Sequence, residues 1–279
     1  MKIKLFALGI ITLCISHQSF AQQADTTWKH SLIAGLNLSQ VSYSNWAQGG
    51  EDALAYSILI AGKSINDLPN TNWTTQYNFA YGQTKLGDKS SRKTDDKIEI
   101  SSVFTYKLGV YVNPYASVTF LSQFTTGYKY TDTSRTGISD FLDPAYSTQT
   151  IGLGYEPMKQ FKTRLGIGIR ETFTKLYTQY SDDPSTTEVE TTHIEGGFES
   201  ITDFSAQLDE NILYTTKLQL FAPLKTMGRI VVHFDNILTA KISKYLSTNL
   251  TVNVINDQVV TPRTQIKEGL SLGITYSIF

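Results

Sequence analysis

Apolar and polar residues alternate with a period of two from about residue 32 to the end of the chain, and no other feature constrains the fold as much. Successive side chains of an extended chain point to opposite sides, so this pattern gives each strand one apolar and one polar face. The clearest segment puts Trp73, Thr75, Tyr77, Phe79 and Tyr81 on one face and Asn72, Thr74, Gln76, Asn78 and Gly82 on the other. Segments at 32–38, 54–60, 98–108, 118–130, 151–155, 161–173, 198–208, 212–220, 230–238, 246–254 and 266–278 repeat it, making twelve. Ser200, Thr202 and Asn236 interrupt the apolar face in two of them.

No stretch after residue 21 approaches 18 consecutive apolar residues, so no helix of this chain crosses a bilayer. Strands cross only as a closed barrel, because hydrocarbon leaves no solvent for an open backbone edge. A soluble sandwich or lipocalin-like barrel would also alternate, since the pattern alone does not say which face meets water. Twelve strands, however, exceed the roughly eight of a soluble up-and-down barrel. Trp28, Trp73, Tyr115, Tyr128, Tyr130 and Tyr276 fall near strand ends, where membrane barrels carry aromatic girdles. The connections alternate too. Longer polar ones fall at about 42–51, 87–97, 131–145, 176–193, 222–228 and 256–264, and shorter ones at about 64–71, 109–114, 156–160, 209–211 and 243–246. Outer-membrane barrels have long loops outside and short turns inside, and an even strand count puts both chain ends on the short-turn side. The expected fold is all-β: a single antiparallel transmembrane β-barrel over residues 22–279, with twelve strands and ten or fourteen as the neighbouring even counts.

Residues 1–21 read as a cleaved secretory signal. Lys2 and Lys4 precede an apolar run from Leu5 to Ile15, and Ser19-Phe20-Ala21 forms a small-x-small site. The single cysteine, Cys14, lies within this segment, and the bulky Leu13 before it argues against lipidation. Cleavage after Ala21 leaves a mature chain without disulfides, thiolate metal ligands or a cysteine nucleophile. That mature chain has 22 basic residues against 25 acidic ones, a net charge of −3. Charged residues are 18% of the chain, below the roughly 25% of soluble domains, and nothing in the charge balance suggests a nucleic-acid partner.

If the apolar face meets lipid, the other face lines the lumen. It carries Lys97, Glu99, Lys107, Arg164, Arg170, Glu199, Asp203, Lys217, Arg229, His233, Asp235 and Lys267. Unlike charges on separate walls would make a pore, and paired charges a plug. Gly152, Gly154, Gly166, Gly168, Gly269 and Gly273 either leave space on this face or ease the coiling of tilted strands. Arg164 and Arg170, six residues apart, could form steps for an anion unless Glu199 and Asp203 neutralise them. In the first long loop, Asn45, Trp46, Gly49 and Gly50 form a sharp turn with a Trp beside it, suited to capping the outer mouth.

These last residues also spell Asn-Trp-x-x-Gly-Gly. With the Gln-Phe-x-x-Gly-Tyr segment (Gln123, Phe124, Gly127, Tyr128) and a terminal Tyr-x-x-Phe (Tyr276, Phe279), the chain resembles a family of Gram-negative outer-membrane proteins catalogued only as a domain of unknown function. The resemblance implies a barrel in the outer membrane and carries over no catalytic or ligand residue. A terminal Phe279 suits the barrel-assembly machinery as a partner, although Ile278, Tyr276, Ile274 and Leu272 run one step out of phase with it.

Enzyme chemistry is thinly represented. The chain has no Gly-rich phosphate loop, His-Glu-x-x-His motif or Gly-x-Ser-x-Gly elbow, and no metal or cofactor is expected. His30 opens the first strand and His193 falls in a polar loop with Asp182, Asp183, Glu188 and Glu190. His233 and Asp235 share a strand face, so an acid–base pair is geometrically allowed. The first functional reading is a narrow, porin-like channel for small hydrophilic solutes. A structural or interaction barrel with a plugged lumen and binding outer loops comes second, and an outer-membrane hydrolase a distant third.

Overall fold

The computed structural model describes residues 27–42, 51–131, 134–226, 228–258 and 261–277. The signal segment, the loop residues Asn45, Trp46, Gly49 and Gly50, and Phe279 lie outside the described residues.

Fourteen strands run in chain order: β1 (Trp28–Val41), β2 (Ala53–Asp67), β3 (Thr71–Leu86), β4 (Arg92–Tyr106), β5 (Val112–Ser122), β6 (Gly127–Tyr130), β7 (Arg135–Ser139), β8 (Ala145–Met158), β9 (Phe161–Phe173), β10 (Thr192–Asp209), β11 (Ile212–Pro223), β12 (Val231–Lys241), β13 (Leu246–Asn256) and β14 (Gln265–Ser277). Twelve of them close into a barrel in the order β1-β14-β13-β12-β11-β10-β9-β8-β5-β4-β3-β2, while β6 and β7 form a separate two-stranded sheet. Every neighbouring pair in the barrel is antiparallel.

The register fixes which side chains face out. Ala34, Ile60, Phe79 and Ile98 stand opposite one another on consecutive strands and share the apolar face. One step along, Asn78 pairs with Glu99 on the polar face. The apolar face is the exterior: Ile151 is 68% exposed and Leu270 77%, whereas Glu199, on the polar face, is 2% exposed. A barrel with aliphatic residues outside and charge inside is the inverse of a soluble core, and only a bilayer makes it stable. The fold is a transmembrane β-barrel.

Short connections at 68–70, 107–111, 159–160, 210–211 and 242–245 occupy one end, and those at 42–52, 87–91, 123–144, 174–191, 224–230 and 257–264 the other. The latter are the longer, as expected, except 87–91, which at five residues equals 107–111. The 87–97 loop is shorter because β4 already begins at Arg92.

Three features differ from the alternation. The segment 118–130 is not one strand: β5 stops at Ser122 and the chain folds back. Asp96 causes the turn, accepting hydrogen bonds from the backbone N–H of Phe124 (2.6 Å) and Thr125 (2.9 Å) and from the Thr125 hydroxyl (2.7 Å). Phe124 then lies against Phe79, with ring centroids 6.1 Å apart. Tyr128 and Tyr130 belong to the β6–β7 hairpin, where Arg135 and Arg92 stack on their rings. Tyr115 is not a girdle residue: it points inward and is buried. Asn236 does face outward, and its polar atoms are satisfied there by the Tyr214 and Thr216 hydroxyls and the Val252 carbonyl.

Candidate functional site

The polar face of each strand delivers one inward residue every second position, and the lumen is built from these rows. At the long-loop end they enclose a cavity of about 660 Å³ whose lining includes Lys97, Tyr146, Arg170, His233, Asp257 and Lys267. The charges of this lining are paired. Glu99 accepts from Lys97 Nζ at 2.5 Å, Lys217 Nζ at 3.1 Å and Asn78 Nδ2 at 3.4 Å. β4, which carries Glu99, and β11, which carries Lys217, are five strands apart one way around the barrel and seven the other. The pair therefore spans the lumen from one wall to the nearly opposite one.

Two further ion pairs cross higher up. Arg170 on β9 reaches Asp257, just past β13, at 3.1 Å, and stacks over Tyr146 with its guanidinium 5.1 Å from the ring centre. Lys267 on β14 bonds Asp95 on β4. A buried carboxylate is held only if its lone pairs are satisfied. Glu199 meets this with Thr150 Oγ1 donating at 2.6 Å and Gln219 Nε2 at 3.2 Å, both from the strands around it.

Arg164 is 7% exposed, its guanidinium lies 5.5 Å over Tyr115, and its Nε has no hydrogen-bond partner among the described residues. The glycines opposite explain how the ring fits. A Cβ at Gly166 would stand 2.8 Å from the Tyr115 hydroxyl, so this wall accommodates the aromatic ring only because it lacks side chains there.

Of the lumen residues expected from sequence, Lys97, Glu99 and Lys217 form one network, and Arg164, Arg170, Glu199, Asp203, His233 and Asp235 stand on inward positions around it. Asp203 is register partner to Lys217, and Asp235 accepts from Asn253 at 2.6 Å. Lys107 is a correction. It lies beyond β4 in a short turn and donates to Asp67 and the Leu68 carbonyl, both at 2.7 Å, tying two turns together at the rim. The alternation continued past the strand end, and the turn redirected the side chain. Arg229 precedes β12 in a long connection and bonds Glu195 at 2.7 Å near the mouth. His193 is likewise corrected from loop to strand: it opens β10 and lies 3.1 Å from the same Glu195.

Asp95, Tyr146 and Asp257 escaped the sequence reading. Asp95 and Asp257 fell in expected loops, yet Asp257 continues the inward phase of Asn253 and Ile255, and that phase was the available signal. Among the described residues, no group of three or more His, Cys, Asp or Glu is placed to hold a metal ion.

Comparison with known proteins adds two findings. Residues 38–128 match a family described as a protein of unknown function (DUF3078), the segment that holds the Asn45–Gly50 and Gln123–Tyr128 signatures. No curated relative matches the chain. Among solved structures, it is similar to an outer-membrane channel from Pseudomonas putida F1, with 9% identity, TM-score 0.40, and coverage of 88% of this chain and 94% of the other. It is also similar to the NanC porin, with 10% identity, TM-score 0.39 and coverage of 89% and 98%. The translocator domain of the autotransporter NalP from Neisseria meningitidis gives 10%, 0.36, and 88% of each chain. All three likenesses are loose in sequence and in superposition.

Proposed function

We propose that the mature chain, freed of residues 1–21, sits in the outer membrane of a Gram-negative cell as a narrow channel for small hydrophilic solutes, held shut in this conformation. Its passage is governed by the Glu99–Lys217 ion pair. The observation that carries this reading is one bond: a 3.1 Å contact between nearly opposite walls, made by two residues that line a polar cavity of about 660 Å³. Opening requires that these side chains and those of the Arg170–Asp257 and Lys267–Asp95 pairs separate, with no rearrangement of the barrel. Folding into the membrane proceeds through the assembly machinery and the C-terminal strand. This reading assigns no catalysis to the chain: Asp235, which shares a face with His233, accepts a hydrogen bond from Asn253.

The pairing of charges also favours a second reading, an interaction barrel whose filled lumen is purely structural. Planar-bilayer conductance of the refolded mature chain separates the two. A gated channel passes brief, small currents as wild type, and Glu99→Gln with Lys217→Gln raises them. A double variant that stays folded and carries no current rejects the channel and leaves the interaction barrel.

A further inference from the structure

The barrel wall is closed unevenly. Ten other strand junctions are hydrogen-bonded over at least eight register pairs, and the β1–β2 junction runs the full length of β1. Among the described residues the β1–β14 seam has five, from Ile33↔Ser277 to Asn37↔Gly273. Continuing that register would pair Leu38 with Leu272, Ser39 with Ser271, Gln40 with Leu270 and Val41 with Gly269. None of these four pairs forms among the described residues, although all eight residues lie within strands. We infer that the long-loop half of the β1–β14 seam is a lateral slit through which a single-chain amphiphile moves between the cavity and the surrounding membrane leaflet.

The cavity adjoins the slit along β14: its wall includes Asn253 and Ile255 of β13 and Gln265, Ile266 and Lys267 of β14, and Lys267 is two positions from Gly269. Its two sides differ in chemistry. On the outward phase Leu38, Leu270 and Leu272 form apolar lips around Gln40, and Leu270 is 77% exposed. Ser39 and Ser271 stand on the inward phase, with Lys267 beyond them in its ion pair with Asp95. Unpaired backbone groups are strongly disfavoured in hydrocarbon. Water from the cavity can reach these edges, and a molecule with a polar head and one apolar tail fits them better still. Its head would rest among the polar groups inside and its tail would leave between the leucines. The inference shares the membrane placement of the proposed channel but does not require ion conduction.

Cysteines test it cleanly, because the only native one lies in the signal segment. Spin labels at Ser39 and Ser271 of the refolded mature protein in phospholipid vesicles should lie well apart. Labels at Leu36 and Ile274, in the bonded part, should report strands with Cα atoms about 5 Å apart. Next, the Ser39→Cys/Ser271→Cys protein is bridged with dithiobis(maleimidoethane), which spans thiols too far apart for a direct disulfide, and 11-(dansylamino)undecanoic acid in the same vesicles is followed by energy transfer from tryptophan. Bridging should abolish dye uptake and reductive cleavage of the bridge should restore it, with bilayer conductance unchanged by either. Labels as close at 39/271 as at 36/274, or equal uptake by the locked and open forms, overturns the slit. Conductance lost in both forms with uptake intact overturns the channel alone.

Discussion

Val118 and Thr119 are consecutive residues of β5 that meet different media: Val118 faces outward and is exposed, and Thr119 lines the lumen cavity. Val118→Arg puts a guanidinium against lipid at mid-strand and should destabilise by about 2–4 kcal/mol, whereas Thr119→Arg, with a polar cavity beside it, should cost much less. Refolding titrations in vesicles measure both, and equal costs would contradict the orientation of the faces. A second contrast lies inside. Arg170→Gln removes the cation that holds the buried Asp257 and should cost about 3–5 kcal/mol. In a cycle with Asp257→Asn the coupling should exceed about 0.5 kcal/mol. Much of this scale was legible in the sequence, because inward charges follow directly from the phase of the alternation. Their partners were not. Arg170 reaches Asp257 across 87 positions of chain, and alternation has no information about which walls face each other.

Among the elements, the 174–191 connection is long but internally bonded. Asp183 accepts from the Ser185 N–H at 3.0 Å and hydroxyl at 2.7 Å, and Glu190 from the Asp183 N–H and the Thr186 hydroxyl. Hydrogen bonds from Ser185 hold the Asp183 carboxyl below its ordinary range, and those from Thr186 and the Asp183 backbone do the same for Glu190. A carboxyl depressed in the folded loop favours that loop while ionised, and the contribution fades as pH falls through the carboxylate range. Pepsin should therefore nick this loop increasingly fast from about pH 5 to about pH 3. An Asp183→Asn/Glu190→Gln variant should be cut readily at the upper pH and gain little on acidification. The β6–β7 hairpin is the element that alternation misread, since its residues keep strand character while leaving the barrel. What ends β5 is the side chain of Asp96, a contact from another strand that no local pattern encodes. Replacing residues 127–139 by a short Gly-Ser linker should leave a folded barrel, seen as unchanged heat-modifiable migration on electrophoresis, because these strands pair only with each other.

For the molecule as a whole, the strand count was readable because each crossing needs its own apolar stripe and each connection its own polar break. The closure of the lumen was not, since it depends on diameter and on side chains meeting from distant walls. The arrangement of connections predicts an orientation: protease added to intact cells should cut within 182–190, while a tag placed ahead of Trp28 should stay protected until the outer membrane is opened. The reverse result would invert the barrel. The antiparallel union of the first and last barrel strands has a consequence for how such a chain can change over generations. A single inserted or lost strand would bring the final strand in parallel to the first and carry the chain terminus to the other side of the membrane, where the ring could not close by the same bonds. As long as the seam stays antiparallel, size changes in steps of a whole hairpin, two strands and the turn or loop joining them. Duplication of a unit such as β2–β3 is the smallest enlargement that leaves the seam intact.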